Sequence, residues 1–204
     1  MIKDKKHWYD GKFYDKLIAP NLYNMFNVIS YIIEDGSNVI DIGCGTGWFC
    51  LNISKKCKEV IGVDLSSKNI KIAESKLKKQ NLSNVNFIHC DANTISKTIN
   101  KKFDYAVMTY MIHELEPDER ITVLNNAKEI AEKIIIGDYL TPQPKNFMGL
   151  INLIVEFFAG KNHYKNYRSF QKEGGLKILA KKNNLKIIRE IQNNPSTSHI
   201  VVLK

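Results

Sequence analysis

Three glycines at alternate positions, Gly43, Gly45 and Gly47, follow a carboxylate at Asp41 and precede the apolar run Trp48-Phe49-Cys50-Leu51. Glycine lets such a loop turn with positive φ and lets a ligand lie against the main chain with no Cβ in the way. A helix starting just beyond would aim free N–H groups and its positive dipole end at that ligand, favouring an anionic or polar group. A second carboxylate, Asp64, closes the run Val60-Ile61-Gly62-Val63 at about the repeat of a βαβ unit. An acid at the tip of that neighbouring strand can accept both hydroxyls of a ribose, at ~1.5–3 kcal/mol for a hydrogen bond to a charged group. Further along stands His113-Glu114-Leu115, where an imidazole near neutral pKa is a candidate base for an acceptor hydroxyl. Plainer readings stand beside these: a turn that packs a helix on a strand, a helix cap at Asp64 or Ser66, and a loop-orienting histidine. What the motifs lack narrows the ligand. A dinucleotide fingerprint needs glycine where Trp48 stands, a phosphate-cradling loop needs Lys followed by Ser or Thr, and a zinc HExxH fails at Pro117.

The elements that must position these groups follow from periodicity. Val39–Ile42 and Val60–Val63 read as buried strands, with a helix from Trp48 between them. An amphipathic helix is expected over Lys68–Gln80, begun by Ser66 or Ser67, then a third strand over Val85–His89 and a fourth over Tyr105–Thr109. Arg120–Lys133 reads as a helix after Pro117, and Ile134–Ile136 as a fifth strand that delivers Asp138 and Tyr139 to the same edge as His113. Lys145–Gly160 is apolar almost all round, interrupted by Asn152 and Glu156, and too short to span a bilayer. So little polar face must be covered: the stretch roofs a pocket, packs in a homodimer through residues 147–158, or touches a membrane. Polar tips on aromatic bodies at His163, Tyr164 and Tyr167 are acceptor-site candidates, a helix interrupted at Gly174-Gly175 is expected over Ser169–Asn183, and Leu185–Ile191 with Ser198–Leu203 reads as a terminal hairpin.

Asp-Ile-Gly-Cys-Gly-Thr-Gly at 41–47 and Gly-Val-Asp-Leu-Ser at 62–66 resemble the first two motifs of class I S-adenosylmethionine (SAM) dependent methyltransferases. Asn86-Phe87-Ile88-His89-Cys90-Asp91-Ala92 is similar to the third-strand motif and Phe103-Asp104-Tyr105-Ala106-Val107-Met108 to the fourth, so the ordered set covers about residues 36–140. The resemblance implies a Rossmann-like three-layer α/β/α sandwich. Its seven-stranded, mostly parallel sheet would have the order 3-2-1-4-5-7-6 with an antiparallel last strand. It implies one domain: N-terminal lid helices over 1–35, a cofactor core over 36–140, acceptor-site cover helices over 141–183 and the hairpin over 184–204. Gly43, Cys44, Gly45 and Gly47 would hold the methionine part of SAM with help from Asp41, and Asp64 would take the ribose. Leu65, Asp91 and Ala92 would hold the adenine, Thr109 would border the site, and Tyr14 or Phe13 would close over it. Asp91 has a local alternative as cap of the segment that follows it. His113 is the candidate base, with Tyr110, Asp138 and Tyr164 as acceptor-site candidates. The product would be S-adenosylhomocysteine, and the acceptor a small, partly apolar molecule. RNA or protein as acceptor, a non-catalytic SAM-binding partner subunit and a nucleotide-linked oxidoreductase are the alternatives.

Composition bounds the rest. The chain has 204 residues, 44% hydrophobic and 25% charged, as expected of a soluble single domain. Its net charge of +9 invites a nucleic-acid partner, yet Arg120, Arg168 and Arg189 are the sole arginines, and lysines spread over helices commonly form a solvated face. The Asn/Asp-Pro-Pro-Tyr/Phe motif of amino-methylating enzymes is replaced by Met108-Thr109-Tyr110-Met111, and no thiol stands at that edge. Nucleic acid is therefore disfavoured as acceptor. Met1–His7 lacks an apolar core, and Cys44, Cys50, Cys57 and Cys90 lack paired spacing, so a cytoplasmic protein with reduced thiols and no metal site is expected.

Overall fold

The computed structural model describes Asp4, Asp10, Asp15 and residues 22–194 and 196–204. Strands β1 (Asn38–Ile42), β2 (Glu59–Asp64), β3 (Val85–His89), β4 (Phe103–Thr109), β5 (Ala131–Tyr139), β6 (Ile187–Gln192) and β7 (Ser198–Leu203) form one sheet of order β3-β2-β1-β4-β5-β7-β6. The first five run parallel, while β7 is antiparallel to both β5 and β6. This is the topology expected from the motif order.

Period-two alternation assigns each strand's side chains to one of two cores. Val39, Tyr105 and Val107 face one cluster, whereas Ile40, Ile42, Ala106 and Met108 face the other. Helices cover both faces, so the strands are apolar on both sides. The first cluster is capped by α1 (Tyr23–Ile32), α2 (Trp48–Ile53) and α3 (Ser67–Gln80), through Met25, Ile29, Phe49 and Ile70. The second is capped by α4 (Ile95–Thr98), α5 (Pro117–Ile130), α7 (Lys161–Lys172) and α8 (Gly175–Lys182). The remaining helix, α6, covers Phe147–Ala159. Ser66 caps α3, its side chain accepting from the Asn69 amide. Pro117 opens α5, where Glu119 accepts from the Glu116 amide at 3.1 Å.

The structure revises two elements. The helix read as starting at Ser169 begins at Lys161, because Gly160 ends α6 and the aromatic-polar run that follows is itself helical. Strand β5 runs on through Asp138 and Tyr139, which are ladder residues paired with His199 and Ser198. In the single chain, α6 leaves Phe147, Leu150, Phe157 and Phe158 more than half exposed and buries Gly149 and Glu156. No described helix is long and apolar enough to cross a membrane.

Candidate functional site

The glycine loop is drawn onto β2 by two main-chain bonds, Gly43 N and Cys44 N both donating to Val63 O at 2.8 and 2.9 Å. Gly45 N donates to Asp64 Oδ2 at 2.9 Å, and Ser66 N donates to Asp64 Oδ1 at 2.8 Å. Asp64 thus ties the loop to the second strand, as its position in the sequence implied. Asp41 lies 1% exposed beneath the loop, with Cys50 Sγ donating to Oδ2 at 3.3 Å. Its Oδ1 has no hydrogen-bond partner among the described residues. Burial, only partly opposed by the Cys50 hydrogen bond and reinforced by Asp64, pushes the Asp41 pKa up to about 7.

Two of the glycines are required by the protein's own packing. Gly43 (φ +80°) has no room for a Cβ, which would stand 2.7 Å from Met111 Sδ. At Gly47 (φ +78°), the N-cap of α2, a Cβ would stand 2.5 Å from Phe87 Cζ. Gly47→Ala is therefore expected to cost about 1–3 kcal/mol through overpacking, with the left-handed backbone adding to it. A lowered urea midpoint with an unchanged slope is the expected reading; an unchanged midpoint would contradict this packing.

At the adjoining strand tip, Asp91 Oδ1 accepts from Asn93 N at 2.9 Å and caps the short turn Ala92–Thr94, the local role foreseen for it. Leu65 and Ala92 are half-buried, and the Leu65 carbonyl oxygen lies 3.0 Å from His89 Nε2. Thr109 is buried at the end of β4. Tyr14 and Phe13 lie outside the described residues. Their neighbour Asp15, which the motif reading passed over, accepts from Thr46 Oγ1 at 2.7 Å and Trp48 Nε1 at 2.8 Å and pairs with Lys76. The Lys76 ammonium also stands 4.7 Å from the Trp48 ring centroid.

The second half of the site lies beyond β4. Tyr110 sits at φ +48° and donates to Ser198 Oγ at 2.8 Å, with its ring edge-on to Tyr139 at 5.3 Å. His113, in the 3-10 turn Ile112–Glu114, has Nδ1 2.7 Å from Asp138 Oδ1 and Nε2 3.6 Å from Glu156 Oε1. Its expected near-neutral pKa is corrected here. Burial alone would lower it, but Asp138 and Glu156 outweigh burial and hold it well above the ordinary histidine value. A buried imidazolium between two carboxylates is not poised to accept a proton near neutrality. His163 Nδ1 is 2.7 Å from Glu156 Oε2, and its Nε2 is 3.1 Å from Glu114 Oε1. Burial works against its charge too, yet Glu114 and Glu156 raise its pKa to about 9. The same two histidines bring Glu156 down to about 2 despite its burial. Tyr139 also donates to Glu156 Oε1 at 2.8 Å. Tyr164 turns elsewhere, its ring 5.6 Å from Phe157.

His163 stood among the acceptor-site candidates, whereas Glu156 was read only as an interruption of the apolar run. The available signal was the one acidic side chain inside an otherwise apolar helix, which a buried partner explains better than a solvated face. A cavity of about 560 Å³ opens between α6 and α7, bounded by Leu153, Tyr167 and Arg168. Among the described residues, Pro142 and Gln143 of the β5–α6 connection line it and no glycine-loop residue does; Tyr167 separates it from Tyr139, with ring centroids 5.4 Å apart.

A seven-stranded sheet with an antiparallel β7, a glycine loop after β1 and a carboxylate ending β2 make up the Rossmann-like fold and loop that the motif resemblance implies. Residues 39–133, a little under half of the chain, match the family described as Methyltransferase domain. It is 27% identical over 164 residues to an uncharacterized RNA methyltransferase of Clostridium acetobutylicum, an alignment covering 73% of this chain and 34% of that protein. The chain thus spans about a third of that relative's length. Among solved structures, a SAM-dependent methyltransferase from Aquifex aeolicus superposes with a TM-score of 0.66 at 19% identity, covering 93% of this chain and 95% of that one. The N-methyltransferase NodS of Bradyrhizobium japonicum, solved with S-adenosylhomocysteine, gives 0.66 at 15% identity over 93% of this chain and 88% of its own. These similarities establish the fold.

Proposed function

We propose that this protein transfers a methyl group from SAM to a small, partly apolar acceptor. One observation carries the cofactor half: a buried carboxylate, Asp41, with an oxygen that has no partner among the described residues, beneath the glycine loop, and a second carboxylate, Asp64, holding that loop. Such a pair suits a ligand bringing both a cationic amino-acid part and a ribose diol. When bound, SAM supplies an electrophilic methyl on a sulfonium. The proposed work of the chain is to orient: Asp41 compensates the ligand's ammonium, Asp64 accepts from the ribose, and Asp91 and Ala92 meet the adenine. The aromatic edge of Tyr110 and Tyr139, one step past the loop, supports an acceptor with an apolar part. His113 holds Asp138 and Glu156 in place, and alignment of an already nucleophilic acceptor does the rest.

Asp64→Ala is expected to weaken SAM binding by about 10–100-fold, the loss of ~1.5–3 kcal/mol of charge-assisted hydrogen bonding, read by calorimetric titration. Transfer of labelled methyl from SAM into fractionated cell extract tests the acceptor. Label is expected among small molecules. Label found only in RNA, which the named Clostridium relative and the net charge of +9 would favour, overturns the acceptor class. Absence of SAM binding overturns the whole reading.

A further inference from the structure

We propose that His113, His163 and Glu114 bind one divalent transition-metal ion of the zinc, iron(II) or manganese kind beside the C-terminal edge of β4. One ligand atom from each of the three lies within 4.8 Å of the other two. Each imidazole has a carboxylate beside Nδ1: His113 Nδ1 is hydrogen-bonded to Asp138 Oδ1 at 2.7 Å, and His163 Nδ1 is 2.7 Å from Glu156 Oε2 as an ion pair. Each ring therefore turns Nε2 away from its supporting oxygen, and His163 Nε2 already meets Glu114 Oε1 at 3.1 Å. A carboxylate on one imidazole nitrogen and a metal on the other is the usual arrangement around protein-bound ions, because the carboxylate sets the tautomer and raises the ring's basicity.

Zinc sits about 2.0–2.2 Å from imidazole nitrogen and carboxylate oxygen, which puts neighbouring ligand atoms about 3.4 Å apart, so the three groups must draw together by up to about 1.4 Å to share one ion. The Glu114 side chain is 20% exposed, against 3% for His113 and 7% for His163, so the carboxylate is the adjustable ligand and faces the way in. Two nitrogens with one carboxylate suit zinc, iron(II) or manganese better than magnesium or calcium, which prefer all-oxygen shells. The support is built in: Asn166 Nδ2 donates to Glu114 O at 2.7 Å, and Arg120 Nη2 donates to Asn166 O at 2.6 Å, locking α7 to the turn after β4. No metal site was expected from spacing, because the ligands come from a turn and a distant helix that share no sequence pattern.

The test uses the full chain, stripped with a chelator and without SAM, so its outcome is independent of the methyl-transfer proposal. Calorimetric titration with Zn²⁺ is expected to give one ion per chain. Co²⁺ is expected to give the visible bands of a four- or five-coordinate nitrogen-oxygen site, and Mg²⁺ no saturable binding. In His163→Asn and Glu114→Gln, Zn²⁺ affinity should fall by more than the roughly 10–100-fold that loss of a supporting carboxylate costs. Metal-free thermal unfolding verifies that each variant is folded, and the partly exposed Glu114→Gln keeps the test open if His163→Asn is not. Failure to bind Zn²⁺ stoichiometrically, or binding unchanged in a folded Glu114→Gln, overturns the proposal.

Discussion

Glu156→Ala is expected to destabilise the protein by about 3–5 kcal/mol, the usual cost of removing one partner from a buried ion cluster. Its carboxylate serves His113, His163 and the Tyr139 hydroxyl at once, and its side chain is 4% exposed. Alanine would leave two buried imidazoles each with a single carboxylate partner and a phenol with none. The same change removes one of the few side chains by which α6 is anchored, since most of that helix's apolar surface faces outward. Glu156→Gln keeps an acceptor for Tyr139 and should recover part of the loss. Urea unfolding of the three proteins at pH 7 decides the matter. A loss below about 1 kcal/mol for Glu156→Ala would mean that α6 does not depend on this cluster. By contrast, Phe158→Ser, at a side chain 70% exposed, is expected to stay within about 0.5 kcal/mol of the parent.

Asp41 provides the second large effect, and its sign is the opposite of the common carboxylate case. In the unfolded chain it ionises near 3.8, whereas in the folded protein burial holds it to about 7. At 1.36 kcal/mol per unit this corresponds to about 4 kcal/mol. Between those values the folded state keeps a proton that the unfolded chain has lost. Stability therefore falls as pH rises from about 4 to about 7 and is level above that. Asp41→Asn removes this contribution. Without SAM, the variant should lose less stability than the parent between pH 5 and 7 and should exceed it at pH 8. Unfolding by urea across that range measures both slopes; equal slopes would mean the charged carboxylate is not penalised in the fold. Under the proposed function the benefit reverses with ligand present, because an ammonium compensates aspartate and not asparagine. SAM should accordingly raise the unfolding temperature of the parent more than that of the variant.

Both effects arise from carboxylates held without water, yet they differed in how far sequence could reveal them. Asp41 precedes a glycine loop in a local motif, so its place beneath that loop could be read from adjacent residues. Gly45, Asp64 and Ser66 are likewise joined by bonds that span a single βαβ repeat. Glu156 gave a weaker signal. An apolar helix with one acid inside it suggested a roof, an interface or a membrane contact, and the structure turns the acid inward and the phenylalanines outward. Phe13 and Tyr14, expected to close over the cofactor, lie outside the described residues, while Asp15 bonds to the loop through Thr46 and Trp48.

The sequence by itself determined the strands, the glycine loop and the carboxylates at the first two strand tips, through short-range patterning: period-two burial, glycine where φ is positive, and a carboxylate ending an apolar run. The strand order and the antiparallel β7 came instead from the resemblance of the ordered motifs to a family. Only the tertiary structure decided the charge on His113 and the inward turn of Glu156. It alone brought His163 against Glu114. Ionisation and ligand geometry depend on which groups meet in space, and here a turn after β4, the end of β5 and two helices far along the chain converge on one dry point. No local spacing encodes that meeting; the packing of α7 against the turn does.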